Sequence, residues 1–148
     1  WASRREMSRS LRRVSPLKLS EDVVVPVTKL GDLLRATREL SDRTGLRLPA
    51  YGHAGDGNLH VNFLWNSPDD WPRVQHAIGD LLRTVVSLGG TITGEHGIGI
   101  MKAPYLGLEQ SAELMALEMR IKETFDPKGV LNPGKIFPAA AKHFHGAC

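Results

Sequence analysis

Apolar residues in this chain alternate between helical and strand periods, and the alternation predicts its elements. Up to about Arg13, Met7, Leu11 and Val14 keep helical spacing between arginines, which predicts an amphipathic helix that Pro16 ends. Residues 21–27 contain the β-branched run Val23-Val24-Val25 and predict a strand, with Pro26 at its end or at a sheet edge. From 29 to 44, Leu30, Leu33, Leu34, Thr37 and Leu40 form one helical stripe closed by Gly45. Residues 46–54 and 58–65 then read as the two strands of a hairpin, and 66–70 as a loop rich in N-cap residues. The next helix buries Trp71, Val74, Ile78, Leu81, Leu82 and Val85 and ends at Gly89-Gly90. Thr91-Ile92-Thr93 predicts a short strand running into the glycine-rich corner Gly94-Glu95-His96-Gly97-Ile98-Gly99. A last helix over about 109–125, with Leu114, Leu117, Ile121 and Phe125 on one stripe, stops at Asp126-Pro127. The tail from 139 carries no pattern.

The order strand, helix, strand, strand, helix, strand predicts an α+β fold: a ferredoxin-like antiparallel sheet with both helices on one face, plus N- and C-terminal helices. Asp56-Gly57 is a two-residue hairpin signal of the type I′ kind. That turn sets His53 opposite His60, with Asn62 on the same face and Leu59, Val61, Phe63 and Trp65 on the other. The apolar face packs on the helices and the polar face is left open, as if for a partner domain. In the simplest ferredoxin-like order the strand at 91–93 lies one strand away from His60, so Glu95 has to reach the histidines along its glycine corner.

Length and composition narrow the class. The 148 residues, 41% hydrophobic and 24% charged, suit about one soluble globular domain. No apolar run approaches the ~20 residues of a membrane span, and the basic start lacks the apolar stretch of a signal peptide. A single terminal Cys148 excludes an internal disulfide and fits the cytoplasm, with membrane association through partners left open. Net charge is +3, with Arg4, Arg5, Arg9, Arg12, Arg13 and Lys18 crowding the start. No nucleic-acid recognition motif accompanies them, so they read as a solvated helix face and no nucleic-acid partner is expected. The start on Trp1 rather than Met suggests a piece of something longer.

His53, His60 and Glu95 are the candidate metal ligands: two imidazoles and a carboxylate leave a coordination position open, as in catalytic rather than structural zinc sites. Manganese or iron also suits nitrogen and oxygen ligands. The competing reading is a pair of surface histidines beside a helix-capping Glu. His96 sits between glycine-flanked positions where a ligand can approach, and imidazole suits a general base taking a proton from a hydroxyl; alone, it could equally be a third nitrogen ligand. Asp56 reads as a turn residue, whereas Asn62 lies mid-strand and needs a partner, which makes it the better substrate contact. His76, His143 and His145 read as surface residues.

With these residues identified, the chain resembles the C-terminal part of FAD-linked oxidases, in the branch of D-lactate dehydrogenase, the glycolate oxidase flavoprotein subunit and D-2-hydroxyglutarate dehydrogenase. The likeness rests on Gly52-His53-Ala54-Gly55-Asp56-Gly57-Asn58-Leu59-His60, on Gly94-Glu95-His96-Gly97-Ile98-Gly99, and on the run from Asp126-Pro127-Lys128-Gly129 through Asn132-Pro133-Gly134-Lys135. It extends from near Trp1 to Phe137.

The resemblance implies a substrate-binding cap over a flavin. It implies that His53, His60 and Glu95 bind a divalent metal, commonly zinc, and that His96 removes the hydroxyl proton as the α-hydride passes to FAD. It implies that Asn62 contacts substrate, that Lys18 with Arg4 or Arg5 holds the substrate carboxylate, and that Asn132 belongs to a motif returning towards the flavin. The family's FAD-binding domain has no counterpart in these residues, so the chain alone is expected to be inactive, since zinc cannot accept a hydride. The expected function is oxidation of a small 2-hydroxy acid to a 2-oxo acid, with the FAD-binding domain and an unidentified electron acceptor as partners and a homodimer left open. A metal-assisted hydrolase and a non-catalytic metal-binding docking module are the alternatives; hydrolysis would survive without flavin.

Overall fold

The computed structural model describes residues 2–137, with the side chains of 2–5 left out. The described chain is mixed helix and strand and divides into two compact units, the first ending at His96 and the second beginning at Gly97.

The first unit opens with α1 (Ala2–Val14) and continues through β1 (Leu17–Val24), α2 (Leu30–Thr44), β2 (Ala50–His53), β3 (Asn58–Trp65) and α3 (Trp71–Ser87). The sheet is antiparallel in the order β1-β3-β2. β1 starts four residues earlier than the valine run suggests, because Leu17–Ser20 complete the ladder opposite Trp65–Asn62. The hydroxyl of Ser15 fixes this join by donating to the Trp65 carbonyl. α2 ends as expected, with Gly45 left-handed at φ 67° and its N–H donated to the Ser41 carbonyl. α2 and α3 pack on each other and α3 on β1. Leu33, Val74, Leu81 and Leu82 share the core with Val23, Val61 and Phe63, all 0–1% exposed, so the helices cover the apolar face of the sheet.

Three expectations need correction. The strand at 91–93 is reduced to one bridged residue, Thr91, which exchanges two backbone hydrogen bonds with Val24 at 2.9 and 3.1 Å. It does flank β1 on the side away from β3, as the ferredoxin-like order requires. The face bearing the histidines is only partly open, since His60 is 8% and Asn62 0% exposed whereas His53 is half-buried. The hairpin turn is also different. Residues 54–57 connect the strands through a tight turn with Gly57 at φ 72°, and the register pairs His53 with Asn58 and Tyr51 with His60. A type I′ turn needs a left-handed backbone at Asp56, and Asn132 and Ile136 are the only described non-glycine residues with positive φ. The slip is two residues, so every side chain keeps its face and His53 becomes a diagonal rather than a direct neighbour of His60.

The second unit holds a short 3₁₀ segment (Ala103–Leu108) and α4 (Ala112–Phe125), whose N-cap Ser111 accepts the Leu114 N–H at 3.2 Å. The stripe of Leu114, Leu117, Ile121 and Phe125 exists but is exposed. After the helix, the Asp126 carboxylate accepts the N–H groups of Val130 and Leu131 and the Lys122 ammonium.

The turn geometry yields a contrast. A Cβ on Gly57 would collide with the Val25 carbonyl oxygen, and its φ is positive, whereas a Cβ on Gly55 meets nothing within 4 Å. Gly57→Ala therefore destabilises by more than the ~0.4–1 kcal/mol of an ordinary Gly→Ala change, and Gly55→Ala is neutral or mildly stabilising. Urea denaturation midpoints of the two variants check this.

Candidate functional site

β3 presents Asn58, His60 and Asn62 on one face, and the neighbouring strands add His53 and Tyr51 from β2 and Asp22 from β1, which stands directly opposite His60. His53 Nε2 lies 3.8 Å and His60 Nε2 3.2 Å from the same Glu95 oxygen, Oε1. Ligand atoms of His53, His60 and Glu95 all lie within 4.8 Å of one another, the one such group of metal-ligating side chains among the described residues. His96 stacks its ring on His60 at 5.1 Å and 24°, and Tyr51, the ladder partner of His60, brings its ring to 5.6 Å. His60 is buried, His53 is half-buried, and the side chain of Glu95 is 55% exposed. Two nitrogens and one oxygen, open to one side, fit a divalent cation with a free position.

Glu95 and His96 belong to no helix or strand. Their position is set by Asp22, whose Oδ2 accepts three consecutive backbone N–H groups, from Gly94 at 2.8 Å, Glu95 at 2.7 Å and His96 at 2.9 Å. Its Oδ1 accepts the Asn58 amide at 2.6 Å and lies 3.9 Å from His60 Nδ1. Burial alone would raise the Asp22 pKa, but the hydrogen bonds from His96, Asn58, Glu95 and Gly94 together hold it well below the usual carboxylate range. Burial is the main cause that lowers the pKa of His60 and favours the neutral imidazole that can bind a metal, while the charge of Asp22 opposes that shift.

Asp22 is the residue that the sequence reading passed over. The only signal in the sequence was that Asp is depleted in strands, yet Asp22 directly precedes the β-branched run Val23-Val24-Val25.

The chain matches the family model described as FAD linked oxidases, C-terminal domain, over residues 1–136. It belongs to that family. It is 37% identical over 142 residues to the glycolate oxidase subunit GlcD of Bacillus subtilis, covering 95% of this chain and 30% of that one. It is 43% identical over 116 residues to a D-lactate dehydrogenase of Archaeoglobus fulgidus, covering 78% and 26%. A mitochondrial D-lactate dehydrogenase [cytochrome] of Kluyveromyces lactis is 38% identical over 116 residues, covering 78% and 20%. The chain thus spans 20–30% of the length of these relatives.

The remaining expected site residues of this FAD-linked oxidase domain are dispersed. Asn62 is fully buried, its amide nitrogen donating to the carbonyls of Pro49 at 3.1 Å and His60 at 3.0 Å, while its Oδ1 has no hydrogen-bond partner among the described residues. Lys18 shares the sheet face of Asp22 four pairs further along, with its ammonium on Ser8 Oγ at 2.8 Å. The side chains of Arg4 and Arg5 lie outside the described residues, as do His143, His145 and Cys148. Asn132 lies in the second unit, at φ 46° in a turn closed by the Lys135 N–H on its carbonyl. His76 is exposed on α3. No described helix is long and apolar enough to cross a membrane.

A pH dependence follows from Asp22. Above its ordinary value of 3.8 both folded and unfolded chains carry the charge and the clamp contributes in full. As pH falls below that value the unfolded chain takes up the proton first, so stability is lost on the way down to the folded-state pKa. The urea midpoint should therefore fall between about pH 5 and about pH 2.5 more steeply for the wild type than for Asp22→Asn.

Proposed function

We propose that this domain binds the substrate and a divalent metal, with zinc the leading candidate, for a flavin-dependent oxidoreductase. That enzyme oxidises a small 2-hydroxy acid of the D-lactate or glycolate type to its 2-oxo acid. The observation that carries the reading is the convergence of His53, His60 and Glu95 beside His96 in a chain of the FAD-linked oxidase family. When bound, the metal supplies Lewis-acid polarisation of the substrate hydroxyl, and the FAD supplies the hydride acceptor. We place the flavin in the part of the relatives that this chain does not cover, with Asn132 as this chain's contribution to it.

The chain's own residues divide the rest of the work. His53, His60 and Glu95 would hold the metal through Nε2, Nε2 and a carboxylate oxygen. His96, the only one of the four not needed as a ligand, accepts the hydroxyl proton on its imidazole as the α-hydride departs. For Asn62 the support is its buried Oδ1, which has no partner among the described residues and which a substrate hydroxyl reaching it would satisfy. Lys18 and one of Arg4 or Arg5 hold the carboxylate, with a guanidinium able to do so bidentately. The hydrolase and docking alternatives have no observation in their favour that this reading lacks.

The test uses the flavin-loaded protein, with the flavin-binding part on the same chain or supplied separately. D-Lactate or glycolate should bleach the flavin anaerobically, and His96→Ala should slow bleaching by about 10²–10⁴-fold with metal content unchanged. Near-normal turnover of that variant would remove His96 from its role, and failure of every 2-hydroxy acid to reduce the flavin would sink the reading as a whole. Metal content after mild chelation should fall in His53→Ala, His60→Ala and Glu95→Ala; four equal contents would refute the ligand set.

A further inference from the structure

We propose that Asp22 is a positioning residue for the metal centre: by gripping the backbone of Gly94, Glu95 and His96, it sets where the third ligand and the base stand relative to His60. The inference rests on the metal reading above.

The need for such a residue comes from the fold. His53 and His60 are carried by a strand pair whose ladder fixes them, but Glu95 and His96 follow a single bridged residue and lie between Gly94 and Gly97. A segment of that kind has wide backbone freedom. Three successive N–H groups pointing at one place form an anion-binding concavity, and here the anion is the Oδ2 of Asp22. The same carboxylate stands across the ladder from His60, with Oδ1 3.9 Å from Nδ1, while Nε2 of that ring faces Glu95. One side chain is therefore hydrogen-bonded both to the backbone that carries Glu95 and His96 and, through Asn58, to the strand that carries His60, with its Oδ1 near the His60 ring but beyond hydrogen-bond distance.

Two further details lock the carboxylate itself. Asn58 donates to Oδ1 and so fixes its rotation. Gly94 lies so close that a Cβ there would collide with the Asn58 amide nitrogen and crowd Val24 and Asp22. A carboxylate at 0% exposure is costly to bury, and here both of its oxygens accept hydrogen bonds. The negative charge is useful where a cation is to be held a few ångströms away.

The experiment measures zinc affinity by chelator competition, and the Co²⁺ ligand-field spectrum, on the wild type and on Asp22→Asn, Asp22→Ala, Gly94→Ala, His60→Ala and Leu33→Ala. Leu33 is buried in α2 and serves as the control for general destabilisation. Asp22→Ala should bind zinc about 10–100-fold more weakly. Asp22→Asn, which keeps one acceptor oxygen, should fall between it and the wild type. Gly94→Ala should lose affinity by displacing the same backbone, and the cobalt spectrum should change in all three. Leu33→Ala should lower the melting temperature yet hold affinity within about twofold. If Asp22→Ala fails to fold, Asp22→Asn and Gly94→Ala carry the comparison. Wild-type affinity in the Asp22 variants, or a loss no greater than that of Leu33→Ala, overturns the inference alone. A wild type that binds neither ion, or a His60→Ala that binds both normally, overturns the metal reading and this inference with it.

Discussion

The candidate site depends on one buried carboxylate. Asp22 has its two oxygens divided between two parts of the chain: Oδ2 receives the backbone that carries Glu95 and His96, and Oδ1 receives Asn58 from the strand that carries His60. Without a paired strand at 91–93, no ladder is available to place that backbone. A charged acceptor substitutes for the missing ladder, because hydrogen bonds to an ionised carboxylate are stronger than neutral ones and several can converge on one atom.

This explains why the candidate metal ligands and His96 come in two mechanical kinds. The histidines are as rigid as the sheet, and the two-residue slip of the hairpin left them on one face because strand side chains repeat every two residues. Glu95 and the third imidazole, His96, are held at their backbone and exposed at their side chains. Such a division suits a site in which a metal has to be fixed while a substrate enters. Glu21, next to Asp22 in the chain, faces the opposite side of the sheet and is buried against Val61.

Family membership and site geometry bear on different questions. Membership rests on a match over residues 1–136 and on relatives that act as glycolate oxidase and D-lactate dehydrogenase subunits by name. The geometry concerns only the first unit, where ligand atoms meet. The chemistry of these two imidazoles, a carboxylate and a third imidazole is binding, polarisation and proton transfer. None of these side chains accepts a hydride, which is why the proposed reaction needs a flavin as well.

The sequence by itself determined the helices, the three paired strands, the helical stripes, the termination of α2 at Gly45 and the polar face of β3, because these depend on local periodicity and on backbone preferences of single residues. It also brought His53, His60, Glu95 and His96 into consideration, through residue chemistry and motif. It misjudged the hairpin turn because Asp-Gly is compatible with more than one turn, and only the Val25 backbone packed over Gly57 selects among them. It did not reveal that the stripe of α4 is exposed, since amphipathicity names a face without naming what covers it. The decisive contact was beyond its reach: Asp22 and Gly94 are joined by a hydrogen bond across 72 positions of chain. Only the tertiary structure, by running β1 beside β3 and returning the chain past Val24, brings that carboxylate under the glycine corner and makes two separate motifs one site.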